Sequence, residues 1–166
     1  MTQFAVNTHR LDPYSNFKFR VKIDNQYVAG LSKMSAVKRT TEVIDWRSAG
    51  EVSSGHKMPG RHKYDPVSLE VGLTHDDQLR VWAEMVNSPQ GDAAMSLKNY
   101  RKEVTIEVLN LQATPVMAFI LHRAWVSEFQ ILPEMDANAN AVAIQIVKFE
   151  YEGFTLADRP TEPSET

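Results

Sequence analysis

The 166-residue sequence contains no cysteine. This absence excludes disulfides, thiolate nucleophiles and cysteine-ligated metal sites. Positive charge is not in excess either, because the formal net charge is −3, whereas nucleic-acid-binding domains are typically basic. The longest apolar run, residues 116–121, is much shorter than the roughly 20 residues of a membrane-spanning helix. The composition therefore predicts a globular protein without specific nucleic-acid recognition and without a membrane-spanning segment.

Common motifs of catalysis and nucleotide binding are also missing. The chain has no G-x-S-x-G, no G-x-x-x-x-G-K-[ST] and no G-x-G-x-x-G. These patterns mark a nucleophile elbow, a phosphate-binding loop and a dinucleotide-binding turn. Carboxylates are numerous, but no pair is marked as an acid–base couple. We therefore assign no catalytic residue, and an enzyme with a site of scattered carboxylates stays as a less favoured alternative.

Two segments imitate metal sites without completing them. His56 and His62 lie six residues apart, with His75 further along the chain, but no pair has the i, i+4 spacing of ligands on one helix. Solvated histidines are the simpler interpretation. Residues 136–147 begin like a calcium-binding loop but lack its glycine and its final bidentate glutamate. A turn rich in Asx residues explains them better, so we predict no metal and no cofactor.

The length and the even composition indicate one domain over residues 1–157. Residues 1–13 form a polar N-terminal arm, and residues 158–166, which are polar with two prolines, are expected to be a disordered tail. The N-terminus has no apolar stretch of the kind found in signal peptides. We therefore expect synthesis in the cytoplasm without a signal peptide.

Alternation of apolar and polar residues predicts a mainly β fold. Residues 74–77 have the form of a capping box, with Asp77 where Glu or Gln is usual, and a predicted helix follows to about residue 86. Residues 32–36 are expected to form a helical turn or a loop. Strands joined by short turns favour an antiparallel sandwich or barrel with the helix on its flank. The predicted strands are 17–23, 27–31, 37–46, 66–73, 102–109, 114–121, 125–132 and 142–154, the sixth and seventh of which can be continuous through a bend near His122.

The helix has one apolar side. Its apolar residues recur at helical spacing, while most of the intervening residues are charged or polar. This pattern predicts that the helix packs onto the sheet through Leu79, Trp82 and Val86.

A long polar loop separates two of the strands. Residues 48–62 contain three glycines, three serines and one proline, a composition that cannot bury itself. Loops of this length inside a compact domain are either functional or disordered. The residues alone leave these two interpretations open.

Several strands carry a polar face of mixed charge. Such a face is either a solvated outer surface or, if strands of neighbouring copies cover the open sheet edges, the wall of a water-filled lumen in a shared barrel. The candidate lumen residues are Lys38, Thr40, Glu42, Ser68, Glu70, Glu128, Gln130, Lys148 and Glu150.

Five stretches together resemble the phage tail tube protein family of the T-even type, which includes the inner tube proteins of contractile injection systems. The likeness covers roughly residues 10–156, and it rests on the order and spacing of short motifs. Val71 stands where the family often has a basic residue, and Phe154 replaces a common tryptophan. The motifs are LDPYSNFKFRV at 11–21, TEVIDWR at 41–47 with KMPG at 57–60, SLEVGLT at 68–74 before Trp82, LPEMDAN at 132–138 and YEGF at 151–154.

The resemblance implies a structural subunit that closes into hexameric rings, with the rings stacked into a rigid tube. The expected partners are further copies of the chain, a sheath protein, baseplate or hub and cap proteins, and a protein or DNA cargo in the lumen. The particle would be a virion tail or an injection machine, and release outside the cell is one expectation.

In this interpretation residues 47–63 form an extended assembly loop that contacts a neighbour, either within a ring or in the next ring. The predicted interface residues are Trp46, Arg47, Val52, Lys57, Met58, Pro59 and Arg61. The alternative to a tube subunit is a monomeric β-sandwich binding module.

Overall fold

The computed structural model describes residues 14–50, 53–95 and 98–157. The predicted arm 1–13, the predicted tail 158–166 and the interface candidate Val52 lie outside the described residues. Within the described part the fold is mainly β, as predicted, with one α-helix, α1 (Gln78–Glu84), and a 3₁₀ turn. The strands are β1 (Phe19–Ile23), β2 (Gln26–Tyr27), β3 (Leu31–Met34), β4 (Arg39–Trp46), β5 (His56–Tyr64), β6 (Val67–Gly72), β7 (Lys102–Leu109), β8 (Pro115–Gln130), β9 (Ile144–Glu150) and β10 (Gly153–Leu156).

Two antiparallel sheets share the long strand β8. In the first sheet the order is β2-β1-β7-β8, with β10 on the other side of β8. In the second sheet β8 is followed by β9, β6 and β3. The first part of β8 pairs with β7 up to Ala124, and the second part pairs with β9 from Trp125 onward. Arg123, at this junction, has a φ of 51°, a departure from strand geometry that bends β8 from one sheet into the other.

One apolar core unites the two sheets. Alternating residues of β6 and β9 face it from the second sheet, and alternating residues of β1 and β7 face it from the first. This alternation is the period of two that the sequence pattern predicts. The largest fully buried side chains are Trp82, Phe149, Ile23, Leu69, Leu121, Val21, Val67, Val104 and Val147.

The helix α1 packs against β8 and closes one side of the core. Leu79 and Trp82 are buried, whereas Val86 follows the helix and is half-buried. The Trp82 indole N–H donates to the carbonyl oxygen of Tyr100 at 2.7 Å, and the Trp82 ring lies 6.0 Å from that of Phe149. No helix in the described ranges is long and apolar enough to cross a bilayer.

The predicted capping box at residues 74–77 is wrong. The Thr74 hydroxyl accepts from the Asp76 N–H at 3.3 Å, and the Asp76 carboxylate accepts from the Gln78 N–H at 3.1 Å. These two local turns use the polar side chains that a capping box would need, and Asp77 makes no capping hydrogen bond. The helix begins at Gln78, directly after this segment, and ends at Glu84, two residues before the predicted end.

Two predictions that concern strands of the second sheet need correction, one of a helical turn or loop and one of a single long strand. Residues 32–36 were expected to form a helical turn or a loop, but β3 pairs with β6, with Met34 opposite Leu69. The strand predicted over 142–154 is divided into β9 and β10, because the chain turns from one sheet to the other at Tyr151 and Glu152. The predicted continuity of β8 through a bend near His122 is confirmed.

A buried carboxylate joins β1 to β7 on the outer face of the first sheet. Glu107 is 6% exposed, and its two oxygens lie 2.9 Å from the Arg20 guanidinium and 2.7 Å from the Lys22 ammonium. The Tyr27 hydroxyl donates to the same carboxylate at 3.3 Å. Burial alone would raise the pKa of Glu107, but Lys22 and Arg20 outweigh it and the net shift lowers the pKa below 4.5.

Replacing Glu107 by glutamine is expected to lower the free energy of unfolding at neutral pH by about 1.5–3 kcal/mol, the range of a hydrogen bond to a charged group. A depressed pKa stabilises the folded state fully above the ordinary value of 4.5 and progressively less as the pH falls below it. The difference between the wild type and the variant should therefore shrink in acid. Urea unfolding of the dissociated protomer measures this, with Glu134→Gln, an exposed carboxylate, as the control with no effect.

Candidate assembly surfaces

A two-stranded hairpin, which we call the arm, extends from the sandwich. It consists of β4 and β5, which pair with each other and with no other strand in the described ranges. Nearly all of its side chains are exposed. Isolated two-stranded sheets are marginally stable in water, so this element is a candidate for pairing with another molecule.

The predicted loop over residues 47–63 is wrong in extent and in conformation. Residues 56–64 form β5, in register with β4 from Arg39 opposite Tyr64 to Trp46 opposite His56. The connection between the strands is therefore confined to residues 47–55. A bulge in β5 places Gly60 and Arg61 opposite Glu42 of β4, and a Cβ added to Gly60 would lie 3.2 Å from atoms of Glu42 and Ile44. Glycine permits this close crossing of the two strands.

The base of the arm is fixed to the sandwich by aromatic side chains. The ring of Tyr64 lies 5.5 Å from that of Tyr151 and 6.0 Å from that of Phe154. The Tyr151 hydroxyl donates to the carbonyl oxygen of Lys38 at 3.3 Å, and burial raises the pKa of this hydroxyl. The Asp65 N–H donates to the same carbonyl at 3.0 Å. The arm thus has a defined point of departure from the sheets.

One face of the arm is apolar. Ile44 is opposite Met58, and Trp46 is opposite His56 with their ring centroids 5.9 Å apart. Because side chains alternate along a strand, these four residues share one side. Ile44 is 48% exposed, Trp46 53% and Met58 47%. No part of the described chain covers this face, and large exposed apolar surfaces mark interaction sites.

Most of the predicted interface residues lie on or beside the arm. Trp46 ends β4, Arg47 follows it, and the other four described candidates belong to β5. The assignment of these residues to a subunit contact stays a prediction. The candidates on β5 are Lys57, Met58, Pro59 and Arg61.

Six of the nine candidate lumen residues lie on one face. Ser68 pairs with Lys148, which pairs with Glu128, and the same face carries Glu70, Gln130 and Glu150. Their neighbours along β6 and β9 point into the core. The second sheet therefore has a polar outer face, which we call the polar face.

The other three candidates, Lys38, Thr40 and Glu42, lie elsewhere. Thr40 and Glu42 belong to β4 of the arm, and Lys38 at its base lies 3.6 Å from the Asp65 carboxylate. Because β4 does not join the second sheet, these residues are not brought to the polar face by their own chain. Their assignment to the lumen stays a prediction.

Sequence reasoning missed Lys33 on the polar face. Its ammonium lies 3.3 Å from the Glu70 carboxylate across β3 and β6, and a second cross-strand pair joins Lys148 to Glu128 at 3.5 Å. The prediction of a helical turn or a loop over residues 32–36 does not place Lys33 on a sheet face, and no regular alternation marks it, because β3 is bulged between Leu31 and Lys33. With Glu150, the face carries two cations and three carboxylates, a net charge of −1.

Both edges of the second sheet are open. β3 pairs with β6 on one side, and no described strand lies on its other side. At the opposite edge, β7 stops pairing with β8 at Ala124, so residues 125–130 have β9 on one side only. Beside this edge is a cleft of about 430 Å³ between β8 and the helix, lined by Arg80, Ala83, Val86 and Phe129 among others.

A second exposed surface, which we call the acidic end, lies where β6 and β8 finish. It consists of residues 73–77 and 131–143, joined by the Leu73 N–H donating to the Ala143 carbonyl at 2.9 Å. Asp136 accepts from the Asn138 N–H at 2.9 Å, which is the Asx turn that the sequence indicates. Apolar residues are exposed among its carboxylates: Leu73, Ile131, Leu132, Met135 and Val142.

The comparison with known families and folds agrees with this architecture. The family model for the T4-like virus tail tube protein gp19 matches residues 15–155. No curated protein has a sequence similar enough to this chain to give a significant match.

Three solved structures have similar folds. A chain of the anti-feeding prophage baseplate has a TM-score of 0.72 at 20% identity, covering 89% of this chain and 97% of that one. A chain of the PVC sheath–tube complex, from an extracellular contractile injection system, has a TM-score of 0.71 at 21% identity, covering 87% and 91%. A chain of the anti-feeding prophage cap has a TM-score of 0.74 at 19% identity, covering 95% and 99%.

Proposed function

Because the chain belongs to the T4-like virus tail tube protein family, it is a structural subunit of a tube, and we propose that it closes into hexameric rings that stack around a lumen. The observation that carries this proposal is the second sheet, whose polar face lies between two open edges. Pairing β3 of one copy with the free edge of β8 in the next would extend the sheet around a ring. Closure removes both open edges of the second sheet.

The polar face would then line the lumen. Its two cations and three carboxylates are partly paired with each other, so the wall has little net charge for cargo of either sign to adhere to. Cargo would pass along a wetted surface of mixed charge, which suits conduction better than binding. The same face in a monomer would be an ordinary solvated surface, so ring closure is what makes it a lumen.

The remaining partners follow from the shape of a stacked tube. The outer face of the first sheet would meet a sheath protein, and the two ends of the tube would meet baseplate and cap proteins. Similar chains occur in a baseplate, a cap and a sheath–tube complex, which supports these partner classes. The particle would be a contractile phage tail or an extracellular injection machine.

Assembly of the purified protein tests the proposal directly. Size-exclusion chromatography with light scattering and negative-stain microscopy should detect hexamer-sized rings and tubes of uniform width. A chain that stays monomeric at high concentration would contradict it and would favour the monomeric binding module.

Labelling of single introduced cysteines tests which face lines the lumen. We expect Gln130→Cys, on the polar face, to react with a small maleimide in assembled tubes but to be protected from a bulky maleimide that cannot enter. Thr155→Cys, on the exposed side of β10, should react with both. The native sequence has no cysteine, so background labelling is absent. Equal reaction of both variants with the bulky reagent would contradict the assignment of the lumen.

A further inference from the structure

The outer face of the first sheet carries a row of cations on β1, which we call the basic stripe. Arg20 and Lys22 point to this face, because the residues with which they alternate are buried in the core. Lys18 has the same parity, and its carbonyl oxygen extends the ladder by accepting from the Leu109 N–H at 3.0 Å. In the proposed tube the polar face of the second sheet lines the lumen, so the basic stripe lies on the outside.

Positive charge is in excess along the basic stripe. Among the residues that the structure describes, Glu107 is the one carboxylate that forms a salt bridge with Arg20 or Lys22, so one negative charge serves two positive ones. The Lys18 ammonium donates to the carbonyl oxygen of Leu111 rather than to a carboxylate. The stripe and Glu107 together have a net charge of +2, although the whole chain has −3.

The other charged groups around this face balance one another. They lie near the start of β7 and comprise three cations and three carboxylates, most of them in pairs of opposite charge. The excess of positive charge therefore belongs to β1. The balanced groups are Arg101, Lys102, Arg123, Asp24, Glu103 and Glu152.

The cations of the stripe are held in place but remain accessible. The Arg20 guanidinium and the Lys22 ammonium lie 4.6 Å and 4.8 Å from the centre of the Tyr27 ring, and both contact Glu107. The side chain of Arg20 is 39% exposed, and Tyr27 is 47% exposed. Side chains ordered before binding lose little entropy when they bind, and arginine and tyrosine are enriched among the residues that dominate binding energies.

The sheet beside the stripe is uncharged and carries small or apolar side chains. Thr105 is opposite Lys22, and Ile120 follows Thr105 on β8. In the next row Ala118 is opposite Glu107. Ile120 and Ala118 are half-buried, so a partner segment can lie flat on β7 and β8 while its charged side chains reach the cations of β1.

We propose that the basic stripe is the docking site for an acidic segment of the surrounding sheath protein. This inference rests on the proposed tube function and adds the chemistry of the sheath contact. Side chains two residues apart on a strand are separated by roughly 6–7 Å. Carboxylates four residues apart on a helix have a spacing of roughly 6 Å, so two of them can face neighbouring cations of the stripe.

A contact of this kind can hold the sheath and still release it. Exposed charge pairs are individually weak and are screened by salt. Because every copy in the tube presents the same stripe, the pairs add up along the tube, but each one breaks separately. We therefore expect sheath binding to weaken as the salt concentration rises.

Zero-length crosslinking tests the proposed contact. A carbodiimide joins an amine to a carboxylate that touches it, so particles assembled with the sheath protein should yield links from Lys18 to sheath aspartates or glutamates, identified by mass spectrometry. Lys102 and Asp24, which lie 3.1 Å apart, supply the internal positive control. Lys33 on the polar face is the matched negative control and should give no link to the sheath.

Two crosslinking results would overturn the proposal. One is the link between Lys102 and Asp24 without any link from Lys18 to the sheath. The other is a set of links from sheath lysines to Glu103 with none from Lys18, because the sheath segment would then be basic.

Charge variants of the stripe supply a second readout. Lys18→Glu should lower the amount of sheath protein that sediments with preformed tubes by about tenfold or more, whereas Lys18→Arg, which keeps the charge, should bind like the wild type. Neither variant alters the contacts of Glu107, so tubes should still form. Lys33→Glu makes the same charge change on the polar face and should leave sheath binding unchanged. Wild-type sheath binding by Lys18→Glu would contradict the proposal.

Anionic lipid is the other partner that a basic stripe can meet. Tubes should float no better with vesicles of phosphatidylcholine and phosphatidylglycerol than with phosphatidylcholine alone. Flotation with the anionic vesicles that is lost in Lys18→Glu, together with unchanged sheath binding, would assign the stripe to membranes and overturn the proposal. The proposed function is judged separately, by whether the unmodified protein forms rings and tubes at all.

Discussion

Replacing Trp82 by alanine is expected to lower the free energy of unfolding of the protomer by about 3–5 kcal/mol. The indole is fully buried and fills the space between the helix and Phe149 of β9. Its removal leaves a cavity that the surrounding strands cannot close without moving. It also leaves the Tyr100 carbonyl without its 2.7 Å hydrogen bond, a loss of about 1 kcal/mol on its own.

Two matched variants separate the parts of this effect. Trp82→Phe keeps most of the apolar volume but removes the donor, so its cost should be smaller than that of alanine. Val81→Ala lies on the same helix but at a position that is 45% exposed, and it should change stability by less than about 0.5 kcal/mol. Urea unfolding of the dissociated protomer, followed by circular dichroism, measures all three. If Trp82→Ala and Val81→Ala unfolded alike, the helix would not belong to the cooperative core.

Placing aspartate at both Ile44 and Met58 is expected to abolish tube formation. These side chains face each other across the arm and would lie at the centre of its apolar contact in the assembly. Buried interface anchors are each worth about 2 kcal/mol or more, and a buried unpaired carboxylate adds a further penalty. In the isolated protomer both positions are solvent-exposed, so the free energy of unfolding should change little.

Pelleting of assembled material and electron microscopy would measure the loss of tubes, and a thermal melt of the soluble fraction would show that the protomer remains folded. Val43→Asp is the matched control, because Val43 is exposed on the opposite face of β4 and is opposite Pro59. If Val43→Asp blocked assembly as strongly, the docking face would be wrong. Wild-type tubes formed by the double variant would show that the arm has no role in assembly.

Regular alternation made some elements fully predictable. The strand predicted over residues 102–109 is β7 with the same bounds, because Val104 and Ile106 alternate with polar residues and face the core. Leu79 and Trp82 are buried where the helical spacing places them. In these segments local pattern and tertiary environment agree, which is the condition under which sequence reasoning succeeds.

The arm could not be predicted from its own composition. β5 reads HKMPGRHKY. Its proline, glycine and two lysines are residue types that are depleted in strands. It becomes a strand because β4, which is rich in β-branched residues, offers a complete ladder of partners. Pairing thus overrides propensity, and a pattern read along one segment cannot detect it.

The acidic end was missed for a different reason. Its two segments are joined by a hydrogen bond between Leu73 and Ala143, residues that are seventy positions apart in the sequence. Each segment alone is an ordinary polar connection with a few apolar residues. Their combined charge and exposed apolar surface exist only after β6 and β9 have paired.

The shared strand β8 has a mechanical consequence. In the proposed tube, friction from cargo would act on the second sheet, whose polar face would line the lumen. Force from a surrounding protein would act on the first sheet, on the outside. Because β8 belongs to both sheets, shear between them is resisted by covalent backbone as well as by side-chain packing. The wall should therefore be stiff, because the two sheets can slide past each other only if the hydrogen bonds of β8 to β7 or to β9 break.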